Sequence, residues 1–284
     1  MRSAAVFRGA IVSLVLAAPA ATSAAVVDLA AAVPGHPGVT YMALLKQAIP
    51  NLAENGADKQ VEGSLSTPLR HIAGGDNGGD PPDPIVIGVV EAASFQAGGR
   101  PRLALLADLG HSEDSVAGTS LLALFDDANV PHLLDAVDVG MDRDTGFSEQ
   151  DRLRLSPTDD AIITYSEHFN TSQTYGVHSL IFVRHDHWAL LEQVFTLSSR
   201  ACGWLKTETP TFAVRPDPGR AYGQVDVTVR AVVTNDPTDG CDSPAPRPGT
   251  RTYRATYRWD ARRGRFITPS TALQRLEKLN QADF

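Results

Sequence analysis

The sequence predicts a mainly β protein: antiparallel meander or sandwich-like sheets, with a short N-terminal helix and a C-terminal amphipathic helix. Three patterns predict it. From Ile85 onward, short apolar runs recur with a period of two and are separated by turn residues. Helical stripes occur near the two ends, in residues 39–52 and 272–280. The spacing of the short strands is that of a meander, sandwich or barrel-like fold rather than of strand–helix–strand units.

Residues 1–24 precede these elements and read as a cleavable secretory signal. Arg2 and Arg8 supply a positive flank, residues 9–18 an apolar stretch too short to span a bilayer, and Pro19 breaks it. Small residues follow, with Thr22 and Ala24 placed for a cut near Ala24. The expected destination is the periplasm or the exterior. No later run approaches about 18 apolar residues, so no membrane span is expected in the mature chain.

In residues 39–52, Met42, Leu45, Ile49 and Leu52 form one face, with Tyr41, Leu44 and Ala48 alongside, and Pro50 is expected to end the helix. Residues 53–84 are poor in bulky apolar side chains and include Gly-Gly-Asp-Asn-Gly-Gly-Asp-Pro-Pro-Asp-Pro, a turn-rich linker. The expected organisation is thus a signal (1–24), a helical segment with its linker (25–84), and an antiparallel β domain ending in a helix (85–284).

Within that domain, strands are expected at 85–94, 102–109, 120–126, 133–139, 161–167, 175–184, 188–198, 211–214, 224–234 and 252–259. Phe266 and Ile267 close a hairpin through Arg263-Gly264. Two strands alternate most clearly. Val225, Val227, Val229 and Ala231 share a face, as do Tyr253, Ala255, Tyr257 and Trp259, while Arg254 and Arg258 face the other way. Ser120–Leu124 followed by Leu133–Val137 echoes Ser179–Val183 followed by Leu190–Val194, which suits two similar hairpins. Leu273, Leu276 and Leu279 mark the last helix, with Ser270 as its cap.

Hydrophobic residues make up 43% of the chain, enough for a sizeable core. The signal carries two of the 25 basic residues and no acid, so the mature chain sets 23 basic against 33 acidic residues, a net charge of −10. That charge argues against a general nucleic-acid or anionic-membrane surface. The two cysteines, Cys202 and Cys241, both fall at expected turns. In an oxidising compartment they are expected to pair, closing a loop of about 40 residues worth about 3–4 kcal/mol on the loop-entropy model.

Several clusters are candidates for chemistry. The acids around Asp142 and Asp144 suit Ca²⁺, which takes six to eight oxygens from a tight loop, although the spacing departs from an EF-hand and a charged inter-strand loop is the plainer reading. His185 and His187 flank Asp186 at a hairpin tip and could seed a Zn²⁺ site, with Glu167, His168 and His178 as further ligands; a polar turn is the plainer reading. Residues 166–175 form a polar run suited to ligand recognition or to a hydrogen-bonded loop. Asp108, His111, Glu113 and Asp114 crowd one loop. Arg247, Arg251, Arg254, Arg258, Arg262, Arg263 and Arg265 make the C-terminal hairpin basic.

No nucleophile elbow, catalytic cysteine signature or His-Glu-x-x-His helix is present in the sequence. The leading expectation is therefore an exported, non-catalytic module that binds a protein or small ligand, with no cofactor required. The alternatives are a metal-dependent periplasmic or secreted hydrolase built on His168, His185 and His187, and an extracellular structural domain stabilised by Ca²⁺ at Asp142 and Asp144.

Overall fold

The computed structural model describes residues 23–56, 60–75, 81–111, 117–142, 144–201, 203–236 and 246–283. In chain order its elements are β1 (Ala25–Val26), α1 (Tyr41–Ala48), β2 (Ala53–Asn55), β3 (Gln60–Gly63), β4 (Arg70–His71), β5 (Ile85–Val86), β6 (Val90–Ala97), β7 (Arg100–Asp108), β8 (Ser120–Phe125) and β9 (Leu133–Asp138). There follow β10 (Asp144–Ser156), β11 (Asp159–Phe169), β12 (Gln173–Arg184), β13 (His187–Ala201), β14 (Trp204–Arg215), β15 (Gln224–Asn235), β16 (Gly249–Asp260), β17 (Arg265–Ile267) and α2 (Ala272–Asp283). The protein is mainly β with one helix near each end. Its three sheets run β1-β6-β7-β8-β9-β4, β10 through β17 in sequence order, and β2-β3-β5. Pairing is antiparallel throughout except for β4 on β9. No helix among the described residues is long and apolar enough to cross a membrane.

Helix α1 begins where Thr40 Oγ1 accepts the Ala43 amide (3.2 Å) and ends just before Pro50, which cannot continue it. Its buried face, Tyr41, Leu44 and Leu45, packs with Ile49 and Leu52 onto one side of the six-stranded sheet, against Leu105, Leu121, Ala123 and Phe125. The other side of that sheet presents Phe95, Ala104, Leu106, Leu122, Leu124 and Val137. These meet Ile162, Ile181, Val183 and Trp188 of the eight-stranded sheet. Residues 25–84 reach both edges of the six-stranded sheet, through β1 and β4.

The eight-stranded meander curls on itself. Ala161, Ile163, Leu180 and Phe182 face inward and share a core with Val225, Val227, Val229, Tyr257, Trp259 and Phe266 from the far end of the same sheet. Edge-on contacts of Phe182 with Tyr222, Trp259 and Phe266, at 5.5–6.0 Å between ring centroids, lock the closure. Helix α2 covers this core with Leu273 and Leu276, and Ser270 Oγ accepts the Ala272 amide (3.2 Å) as the capping reading expects.

The echo between Ser120–Leu124 and Ser179–Val183 has a packing cause. β8 is buried on both faces, and so is the matching part of β12, so each needs an unbroken apolar run. The acidic stretch after Asp138 is corrected by the structure. It is a strand from Asp144, not a loop, because Leu153 and Leu155 alternate inward and anchor β10 while Asp144 and Glu149 stay exposed. The polar run 166–175 is likewise strand up to Phe169 and again from Gln173. Between them Asn170 Oδ1 accepts the amides of Ser172 (3.0 Å) and Gln173 (2.9 Å) in a tight turn. Residues 1–22 of the expected signal, and both Cys202 and Cys241 of the expected disulfide, lie outside the described residues.

Candidate functional site

A cleft of about 770 Å³ opens where the three sheets meet. Its walls include Asp108 at the end of β7, Asp142 and Asp144 at the start of β10, Glu167 and His168 near the end of β11, and His111. A neighbouring recess of about 240 Å³ shares Asp108, Asp144 and Glu167, and adds Glu91 of β6. The candidate calcium residues and two of the candidate metal residues therefore belong to one site.

Strand register creates the charge density. Asp144 lies directly opposite Glu167 in the β10–β11 ladder. Like charges so placed repel, at a cost of roughly 0.2–1 kcal/mol. Asp108 stands close enough to feel Asp144, and its carboxyl is raised above the usual range, first by burial and then by that neighbour. It is held by the Gly110 amide (2.8 Å). Gly88 leaves room for this carboxyl, since a Cβ there would stand 2.5 Å from Asp108 Oδ2 and displace it.

The other acids are held by specific partners. Asp142 Oδ2 lies 2.8 Å from His168 Nδ1. The buried Ser166 Oγ gathers the amides of Met141 (3.2 Å) and Asp142 (3.0 Å) and the Thr145 hydroxyl (2.9 Å), fixing the turn into β10. Glu167 accepts the Tyr165 hydroxyl (2.8 Å), and burial with that carboxylate pushes the phenol well above its ordinary range. Glu91 accepts the Phe147 amide (2.7 Å).

The rim is apolar. Phe169 is 65% exposed and Val89 58%, and Val86 stands with them. Half of the large hydrophobics exposed among the described residues therefore border these two hollows. A carboxylate floor with an apolar rim suits a group that carries a positive charge on a hydrocarbon stem.

The expected three-histidine ion site is corrected. His168 pairs with Tyr175 and His187 with Arg184, and those partners lie nine positions apart on β12, about 30 Å of extended strand. His185 and Asp186 form the hairpin tip with φ of 53° and 60°. Asp186 binds Arg102 (2.5 Å), and His187 lies 3.7 Å from Asp135. His178 lies apart on β12, where it stacks on Tyr165 (4.5 Å) and burial holds its pKa down to about 4. Among the described residues no three His, Cys, Asp or Glu side chains are arranged to hold a metal ion. Glu113 and Asp114 lie outside the described residues.

Sequence reasoning missed Glu91, Val86 and Val89 as members of this site, because they come from another sheet and carry no local signal. Of the basic run, Arg254 and Arg258 face outward, while Arg251 falls in register with the inward set of β16. No family model, curated protein or solved structure matches the chain.

Proposed function

We propose that the protein is an exported, non-catalytic binding module whose acidic cleft receives a partner-protein segment bearing basic and apolar side chains. One observation carries this reading: Asp144 is held opposite Glu167, with Asp108 beside them, under a rim of exposed Phe169 and Val89. A fold gains nothing from opposed carboxylates, whereas an incoming Lys or Arg relieves the repulsion and covers the rim. The net charge of the chain acts in the same direction by steering cationic partners toward it.

Calcium is the weaker occupant. Asp142 is already engaged by His168, and among the described residues no three acidic, His or Cys side chains are arranged to hold a metal ion. The zinc hydrolase reading loses its ligand set, because His185 and His187 sit at the far end of the β12–β13 hairpin.

Titration calorimetry with a synthetic decapeptide of alternating Lys and Leu tests the proposal. Binding with a dissociation constant of about 1–100 μM, weakening as salt is added, is the expected result. Asp144→Asn with Glu167→Gln should weaken it about tenfold or more, corresponding to about 1.4 kcal/mol. Equal affinity for an alternating Glu and Leu peptide, or no change in the double variant, contradicts the proposal. Saturable binding of Ca²⁺ alone that excludes the peptide would replace it with the calcium reading.

A further inference from the structure

The curl of the eight-stranded sheet leaves a second hollow, remote in character from the acidic cleft. It measures about 710 Å³ and lies between the concave face of β13–β16 and the last turns of α2. Leu197, Trp204, Val233, Tyr253 and Leu279 supply an apolar lining, and Arg247 and Arg251 supply positive charge. The volume falls in the range of small-molecule sites, roughly 300–1,000 Å³.

Register explains how an arginine comes to point into a fold's interior face. Glu208, Ala231 and Arg251 are aligned across β14, β15 and β16. Arg251 thereby continues the row of inward residues formed by Tyr253, Ala255 and Tyr257. The deeper charges of this hollow are spoken for. Glu208 is fully buried and accepts the amide of Leu197 (2.9 Å) and Asn280 Nδ2 (2.7 Å), and Lys206 Nζ lies 3.1 Å from its other oxygen. The same ammonium reaches Asp283 (3.3 Å) and so neutralises the acid at the rim.

Arg251 and Arg247 differ. They make no ion pair among the described residues, in a chain whose acids outnumber its bases. Leu279 is also out of place for a packed helix. It continues the Leu273 and Leu276 stripe, yet it is 48% exposed, because it overhangs the hollow instead of meeting the sheet. An unpaired guanidinium and an uncovered leucine face the same space.

We infer that this hollow binds an amphipathic carboxylate, with the carboxylate on Arg251 and Arg247 and an acyl chain against Trp204, Val233, Tyr253 and Leu279. A guanidinium presents paired donors to a carboxylate, and the neighbouring apolar wall receives the hydrocarbon chain. Trp204 is the one tryptophan of three that is not buried, so it reports on occupancy.

The test uses the purified protein and 11-(dansylamino)undecanoic acid as the fluorescent probe. Saturable emission with a dissociation constant of about 1–10 μM is the expected result. Laurate should displace the probe, and its uncharged methyl ester should do so about tenfold less well. Arg251→Ala should weaken probe binding about tenfold, and Arg251→Lys less. Arg251 is exposed and makes no ion pair among the described residues, so its replacement leaves the sheet intact, and Leu279→Glu provides an independent variant with the same expected loss. Asp144→Asn should change nothing, which separates this site from the acidic cleft. No saturable binding up to about 100 μM overturns the inference. So do equal competition by laurate and its ester, or Arg251→Ala binding as the unaltered protein does.

Discussion

Asp144 and Glu167 face each other across the β10–β11 ladder, where like charges cost stability, and this makes the site testable without any ligand. Replacing Asp144 by Asn removes one of two opposed charges, so it should raise stability by roughly 0.2–1 kcal/mol in urea unfolding at neutral pH. The same variant should bind the Lys–Leu peptide less well. A stability gain coupled to a binding loss is the signature of residues kept for function, and a stability loss would mean that Asp144 serves the fold. His178 tests burial in a different way. Burial holds its pKa near 4, against an ordinary 6.5. Above 6.5 it is neutral in both states; between 6.5 and 4 only the unfolded chain takes up the proton. Stability should therefore fall with pH across that window, by at most about 1.4 kcal/mol per pH unit from this group. His178→Phe should flatten that slope, and an unchanged slope would show that the ring is already solvated.

The helices and the two-sided strands were the legible elements, because each writes its burial directly into the sequence. Tyr41–Ala48 shows an apolar face and stops before a proline, and Ser120–Phe125 is an unbroken apolar run because both of its faces are covered. β10 was hidden because its first half, Asp-Thr-Gly-Phe-Ser-Glu-Gln, is mostly polar, carries a glycine and lies at a sheet edge. The site was legible only in pieces. Asp142 and Asp144 read as a loop, and Glu167 and His168 as part of a metal set; the β10–β11 register joins them, and Asp108 and Glu91 arrive from the other sheet. Such non-local meetings leave no trace in spacing. At α2 the apolar stripe suggested Leu279 as a core residue, whereas the buried position is Asn280, tied to Glu208. Asn280→Ala strips a buried carboxylate of a donor and should cost about 2–3 kcal/mol in chemical denaturation. A loss near zero would show that water replaces the amide.

At the scale of the molecule, two sheets share one interface, and Phe95 stacks on Trp188 across it at 5.6 Å. Phe95→Ala should cost about 3–5 kcal/mol. It should lower a single unfolding transition seen by both near-UV and far-UV dichroism; two separated transitions would mean that the sheets fold independently. The two cysteines belong to this scale as well. Asp236 donates its amide to the Gly203 carbonyl (2.6 Å), which brings the chain beside Cys202 to the segment leading toward Cys241. In an exported protein, thiol titration of the unfolded, unreduced chain should find almost none, and two thiols per chain would rule the bridge out. The acidic cleft depends on the same arrangement, since its walls come from all three sheets. Its role is tested most directly by photo-crosslinking, with benzoylphenylalanine placed at position 169 or, as a control, at position 279, in the presence of the Lys–Leu peptide. The cleft predicts a covalent adduct at 169, lost with added salt and with Asp144→Asn, and none at 279. Equal labelling at both positions, or labelling at 169 that ignores salt and Asp144, would contradict it.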